Sequence, residues 1–274
     1  MNAQHISSRA NPWFQKHVRW QQHAPTRKAA RHALLEGEHL VHELIARAAL
    51  GTAYCQLVEL IFPATAQGQA AATQLMQSQP SCAQSAVVFL AVPLYKALVS
   101  LDSMPSCCAS VLLTEPSAVP PAIAPAVVLD QVQDPGNVGT IVRLCAAFGV
   151  STVYAAAGSA SVWGAKALRA GQGAQLALQL FEDVDLGALY PALKAGGANI
   201  CATTLSAQSV ALPQAKLSPK TVWVFGHEGL GISATTRAAA QQQVHIPMQG
   251  GFESLNVATA AAITLWHWQQ ACMA

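Results

Sequence analysis

Residues 129–150 read LDQVQDPGNVGTIVRLCAAFGV, and the change of pattern inside this stretch decides the fold class. Ala126–Leu129 is an apolar strand, Pro135 and Gly136 form a turn, and Asn137 stands where a helix N-cap belongs. In the helix expected over Val138–Phe148, Ile141, Leu144, Cys145 and Phe148 recur at helical spacing on one face, which leaves Arg143 off the apolar stripe. A strand running directly into a helix is the repeating unit of a parallel α/β sheet, and ligands of such sheets bind outside the carboxyl ends of the strands. Asn137 and Arg143 are therefore expected at the rim of a crevice. From this segment alone, a plain helix cap and a surface arginine are an equal alternative.

The same pattern repeats downstream. Strands are expected near Thr152–Ala155, Leu176–Leu180, Asn199–Thr203, Thr221–Phe225 and Val244–Ile246, alternating with helices, which implies a mostly parallel sheet. In VWVFGHEGLGIS, residues 222–233, a buried-type strand enters three glycines, Gly226, Gly229 and Gly231, with Glu228 among them. Glycine lets backbone approach a ligand closely or adopt positive φ. In HIPMQGGFESLNV, residues 245–257, a short strand, a Gly-rich loop and Ser254-Leu255-Asn256 lead into an apolar C-terminal helix.

Taken together, N-x-G-x-x-x-R, F-G-x-E-x-x-G and I-P-M-x-G-x-x-x-S-L-N-V, in this order, resemble the three signature motifs of the SpoU/TrmH family of RNA ribose methyltransferases, within the SPOUT superfamily. The resemblance covers about Ala126 to the C-terminus. It implies a deep trefoil knot in the last third of the chain and a homodimer whose subunits both shape the RNA cleft. It also implies transfer of a methyl group from S-adenosylmethionine to a ribose 2′-hydroxyl. Carried over motif by motif, Arg143 is the central catalytic residue, and Asn137, Glu228, Ser254 and Asn256 are the other polar site residues. Thr203, Gly226, Ile246 and Leu255 match the positions that hold the cofactor, largely through backbone groups. Asn137 could hold Arg143 or a nucleotide, Glu228 could orient Arg143 or accept a backbone donor, and Ser254 could cap the final helix with Asn256 in its first turn.

Upstream, TEPSAVPPAIAP, with four prolines, is the clearest break, because proline excludes regular structure and stiffens a spacer. The domain boundary is placed near Ser117, giving residues 1–117 and 118–274. A helical pattern over about Thr26–Ala49, strands at Leu57–Phe62, Ala86–Ala91 and Ser110–Leu113, and helices near Gln67–Gln77 and Leu94–Leu101 describe a small α/β module. It resembles the substrate-binding domain that precedes the catalytic domain in many SpoU enzymes. A Gly-rich turn common in those domains is replaced here by SMPSCC, residues 103–108.

Charge is unevenly spread. Net charge is only +2, yet Arg9, Lys16, Arg19, Arg27, Lys28 and Arg31 lie in residues 1–31 with no acid, beside Trp13, Phe14 and Trp20. Cations interleaved with aromatics suit phosphate contact and base stacking on unpaired RNA, and the alternative is a solvated helix whose aromatics pack inward. Ribosomal RNA of the 23S type is the expected substrate, with transfer RNA as the alternative. Seven scattered cysteines without a C-x-x-C pair suggest buried reduced thiols in a cytoplasmic protein, with neither zinc nor disulfides. No apolar run is long enough to span a membrane, and the start does not read as a secretory signal. Two other classes compete. Gly229-Leu230-Gly231-Ile232-Ser233-Ala234, with Glu253 onward, formally matches the dinucleotide fingerprint of a reductase, although the first glycine does not close directly onto the strand. A non-catalytic RNA-binding protein on the same scaffold would not need every motif position intact.

Overall fold

The computed structural model describes residues 3–51, 53–82, 85–114, 121–250 and 254–272. The chain divides into two compact units, Met1–Glu115 with Trp163–Ala165, and Pro116–Val162 with Lys166–Ala274. The boundary expected near Ser117 and the acid Glu253 of the dinucleotide fingerprint lie outside the described residues.

In the first unit the elements run β1 (Ala3–Ile6), α1 (Pro12–Gln22), α2 (Ala24–Ala29), β2 (His32–Glu36), α3 (Glu38–Ala49), β3 (Cys55–Pro63), α4 (Ala66–Ser78), β4 (Ala86–Leu90), α5 (Val92–Leu98) and β5 (Cys108–Leu113). The strands form a sheet in the order β1-β4-β3-β5-β2, parallel from β1 to β3 and antiparallel at β3–β5 and β5–β2. One expectation fails here. Thr26–Ala49 is not a single helical stretch, because HALLE forms β2 with His32, Ala33, Leu34 and Leu35 all buried. A short apolar run satisfies either period, and pairing with β5 resolves it as strand. Gly37, at φ 98°, then turns the chain into α3.

The basic N-terminal segment is also corrected. Asn11 caps α1, and its side chain accepts from the Trp13 amide at 2.9 Å. The aromatics of α1 then pack inward. Trp13 stacks on His17 at 3.7 Å and Trp20 lies 4.1 Å from His32, ring centre to ring centre, while Phe14 and Arg27 are buried. Trp13 Nε1 donates to both oxygens of Glu59, at 3.0 and 2.9 Å. Trp13, Phe14 and Trp20 are thus part of the module's packing, and Arg27 is lost as a surface cation.

The second unit runs β6 (Ala126–Asp130), α6 (Pro135–Ala147), β7 (Thr152–Ala156), α7 (Ala165–Gly171), β8 (Gln179–Val184), α8 (Leu186–Ala195), β9 (Asn199–Thr203), β10 (Val210–Ala211), β11 (Thr221–Gly226), α9 (Ala234–Ala239), β12 (Gln242–His245) and α10 (Val257–Cys272). Its sheet has the order β10-β12-β9-β11-β6-β7-β8, and every pairing is parallel. The central strands β6 and β11 are buried at every residue, as strands covered on both faces must be. The strand expected at Leu176–Leu180 starts later, at Gln179, because Ala174–Ala177 coils into a 3-10 turn. The carboxyl ends of β6 and β11 lie side by side, with Asp130 opposite Gly226, so the loops after them must meet.

Among the described residues no helix is long and apolar enough to cross a membrane, and no cluster of three metal-ligating side chains occurs. Six cysteines are buried and Cys272 is half-buried, all as free thiols. Burial pushes the thiols of Cys55 and Cys201 up to about 12 and that of Cys107 to about 11, which keeps them protonated and unreactive.

His17 and His32 link this packing to pH. His17 Nδ1 donates to the Trp13 carbonyl at 2.8 Å, and His32 Nε2 meets Ser110 Oγ at 2.7 Å. Burial holds His17 at about 4 despite the carbonyl partner, with Lys16 adding to the depression. It holds His32 at about 3, assisted by the charges of His17, Lys16 and Arg27. An unfolded chain protonates both from 6.5 downward while the folded module resists. Stability is therefore complete above that value and is lost as pH falls through the window down to the folded values, by about 2 kcal/mol per histidine at pH 5. Melting followed from pH 7.5 to 5 should show this fall. His32→Gln, which keeps a partner for Ser110 but cannot titrate, should melt lower at pH 7.5 and decline less toward pH 5.

Candidate functional site

The site begins with the loop after β6. Asp134, not Asn137, caps α6: its Oδ1 accepts the Asn137 amide at 3.0 Å, and Pro135 occupies the first helical turn. Proline is suited to that position because its missing N–H would have no helical partner anyway. The helix therefore starts three residues earlier than its apolar periodicity suggests, and the side chain of Asn137 is released from capping. Lys166 Nζ, 2.6 Å from Asp134 Oδ2, holds that carboxyl below the usual carboxylate range, with the Asn137 amide assisting.

Glu228 in the loop after β11 gathers these groups. Its carboxylate accepts the backbone amides of Gln133 and Asp134, each at 3.2 Å, and the Asn137 side-chain amide at 3.0 Å. Of the two roles open to Glu228, accepting backbone donors is the one observed. Desolvation alone would raise its pKa, but the Asn137 donor and the backbone N–H groups outweigh it, and the carboxyl titrates below its ordinary range. Asn137 passes the connection on, since its Oδ1 accepts from Asn256 Nδ2 at 3.0 Å. Asn256 Oδ1 in turn accepts the amides of Ala258 and Thr259, at 2.9 and 3.2 Å. Asn256 is thus the cap of α10, a role the sequence suggested for Ser254, which is exposed at the cavity rim.

Behind this chain of hydrogen bonds lies a cavity of about 570 Å³, in the size range of small-molecule sites, lined by the ends of β9, β11 and β12, their loops and the start of α10. Thr203, Gly226, Glu228, Ile246, Ser254, Leu255 and Asn256 all line it. Arg143 does not. It is exposed on α6 and makes no side-chain hydrogen bond or ion pair among the described residues. Six residues past Asn137 put it about 9 Å further along the helix and about 120° around it.

The glycines have separate reasons. A Cβ on Gly226 would sit 2.5 Å from the Gly231 carbonyl carbon, because the loop folds back and Gly231 exchanges two 2.9 Å backbone bonds with His227. Gly231 itself is at φ 71°. This tight loop, followed by a helix of only six residues, is unlike the long helix of a dinucleotide fingerprint. His227, Arg237 and His245 also line the cavity and carried no sequence signal. His227 Nδ1 accepts the amides of Gly229 and Leu230, at 2.9 and 3.2 Å, which fixes the loop from within.

The SpoU rRNA methylase family model matches residues 124–266. A 23S rRNA (guanosine(2553)-2′-O)-methyltransferase, RlmP of Bacillus subtilis, is 35% identical over 141 residues, covering 51% of this chain and 55% of that protein. The tRNA (guanosine(18)-2′-O)-methyltransferase of Escherichia coli K12 is 33% identical over 148 residues, 53% of this chain and 62% of that one. The chain thus spans between half and two-thirds of these relatives' length. In fold, it is similar to an AdoMet-bound rRNA methyltransferase from Sinorhizobium meliloti, with a TM-score of 0.82, 22% identity and 99% coverage of both chains.

The folded-back loop makes a direct prediction. Gly226→Ala should lower unfolding free energy by roughly 2 kcal/mol through overpacking against backbone, whereas Gly229→Ala, whose Cβ meets only the His227 ring at 3.7 Å, should be nearly neutral in denaturant titrations. Equal losses from the two would contradict the tight contact.

Proposed function

Because the chain belongs to the SpoU rRNA methylase family, we propose that it transfers the methyl group of S-adenosylmethionine to a ribose 2′-hydroxyl of RNA, with 23S-type ribosomal RNA as the substrate. The observation that carries this reading is the hydrogen-bonded joining of all three motifs, through Glu228, Asn137 and Asn256, at the mouth of one cavity. The preference for ribosomal over transfer RNA is supported by the similarity in fold to an rRNA methyltransferase along both units of the chain.

Residues of the cavity fit the cofactor. Bare backbone at Gly226, the hydroxyl of Thr203 and apolar Ile246 and Leu255 would hold an adenosyl group between peptide groups and aliphatic walls. When bound, S-adenosylmethionine supplies an electrophilic sulfonium methyl whose leaving thioether is neutral, so no acid is required. What remains for the protein is to place the hydroxyl in line and stabilise its developing charge. Arg143 performs this by holding an RNA phosphate and donating to the hydroxyl oxygen. A guanidinium keeps its proton, so it acts as a fixed cation rather than a base, and the proton released from the hydroxyl passes to solvent water as the oxygen–methyl bond forms and the sulfur–methyl bond breaks.

Since Arg143 lies off its own subunit's cavity, a second copy would deliver it. The dimer reading is supported by α10, which buries Ala258, Ala261, Leu265 and Trp268 yet leaves Ile263 38% and Trp266 54% exposed. A trefoil knot is the corresponding reading of the chain path, supported by the return of α10 against α6 and β11 after the excursion to β12. Residues 1–117 would act as the RNA-binding domain, with Arg9, Lys16 and Arg19, exposed on the first unit, as phosphate contacts. A cytoplasmic location follows from the substrate.

Calorimetry should show binding of S-adenosylmethionine and none of NADH or NADPH; nicotinamide binding alone would replace this reading with the reductase. Arg143→Ala should keep melting temperature and cofactor affinity but lose at least ~100-fold in methyl transfer to ribosomal RNA, the scale of a lost preorganised donor. Transfer RNA accepting methyl in preference to ribosomal RNA would reassign the substrate. Light scattering should give twice the chain mass, and Trp266→Glu should return the monomer mass together with loss of activity.

A further inference from the structure

The cofactor cavity contains one cation whose use is unexplained. Among the described residues that line it, Arg237 is the one lysine or arginine and Glu228 the one carboxylate. These two charges are in opposite situations. The carboxylate of Glu228 is committed to three N–H donors of the chain itself. The Arg237 side chain makes no hydrogen bond or ion pair among the described residues, whereas Lys166 of the same unit pairs with Asp134 at 2.6 Å. Its donors are left unclaimed by the described residues at the wall of the cavity.

Arg237 is also well placed by its surroundings. It follows Thr236, which is fully buried and whose hydroxyl meets the Tyr190 hydroxyl at 2.6 Å. Ser233 caps the same short helix through the Thr236 amide at 3.2 Å, and the Ser233 amide donates to the buried carboxylate of Asp130 at 2.7 Å. The Arg237 amide closes onto the Ser233 carbonyl at 2.9 Å. The backbone bearing this exposed guanidinium is therefore pinned to β6 and α8, which fixes the base of a side chain that lines the cavity.

The chemistry of the ligand supplies the match. S-adenosylmethionine carries a sulfonium, an ammonium and a carboxylate, and only the carboxylate is anionic. Its planar pair of oxygens suits the fork of a guanidinium, and such charge-assisted pairs are the stronger hydrogen bonds of proteins. Of the other lining side chains, Leu205, Ile246, Leu255 and Val257 are apolar, and the hydroxyls of Thr203, Thr204 and Ser254 can hydrogen-bond a carboxylate but carry no charge to neutralise it. We propose that Arg237 binds the methionyl carboxylate of the cofactor and so selects amino-acid-bearing sulfonium nucleosides over those lacking the carboxylate. This rests on the methyltransferase reading above.

The test is a thermodynamic cycle on the full-length protein without RNA, using S-adenosylmethionine and its decarboxylated form, which differ only in that group. The parent protein should bind the decarboxylated form about 10- to 100-fold more weakly, the range expected for one charge-assisted bond. In Arg237→Ala the affinity for S-adenosylmethionine should fall to that of the decarboxylated form, which itself should bind as it does to the parent. Arg237→Lys should recover part of the discrimination. Equal weakening of both ligands in Arg237→Ala would mean a structural role for α9 and would overturn the proposal. So would an unchanged preference for the carboxylate accompanied by weaker RNA binding, which would make Arg237 a phosphate contact. A parent protein that binds neither sulfonium compound would instead remove the methyltransferase reading itself.

Discussion

The carboxylate of Glu228 is the contact on which the site depends. It draws together the amides of Gln133 and Asp134 and the side chain of Asn137, so the loop after β11 and the loop after β6 become one surface. Strand order makes this possible: β11 lies directly beside β6 although about ninety residues separate them, and their carboxyl ends are level at Asp130 and Gly226. From Asn137 the connection continues to Asn256 and into the first amides of α10. An anion accepting several N–H donors is favoured in its charged form, which is why the pKa of Glu228 lies below the ordinary carboxylate range although burial opposes it.

This arrangement divides labour between side chains and backbone. The side chains of the motifs are largely engaged with one another, leaving the cavity walls to peptide groups, small residues and aliphatic chains. Gly226 shows why the side chains are absent there. The loop returns so closely that any Cβ would collide with Gly231, and the exchange of hydrogen bonds between His227 and Gly231 holds that return in place. Shape is built from close backbone approach, and among the described lining residues the carboxylate and the guanidinium are those of Glu228 and the exposed Arg237.

The first unit obeys a different constraint. Its N-terminal helix carries cations on one side and aromatics on the other, and the aromatics stack on two histidines whose burial keeps them neutral. Trp13 and Trp20 are half-buried by these ring contacts within the module. Lys16 is exposed and lies over the Trp20 ring, 4.9 Å from its centre.

Much was legible in the sequence by itself. The alternation of apolar strands and helices after residue 126 determined a parallel α/β sheet, and Asn199–Thr203 was located to the residue. The resemblance of its three motifs to those of the SpoU/TrmH family singled out Asn137, Glu228, Asn256 and the positions Thr203, Gly226, Ile246 and Leu255, the last four of which line the cavity. Local pattern carries this information because burial period and turn chemistry act over a few residues. Tertiary structure decided the rest. Whether HALLE is helix or strand depended on β5, some seventy residues away. Which residue caps α6 or α10 depended on which side chain was claimed elsewhere: Glu228 and Asn256 took Asn137, and the cap fell to Asp134. The role of Arg237 was invisible for the same reason, because an arginine on a short helix has no signature until the fold shows which charges around it are already satisfied.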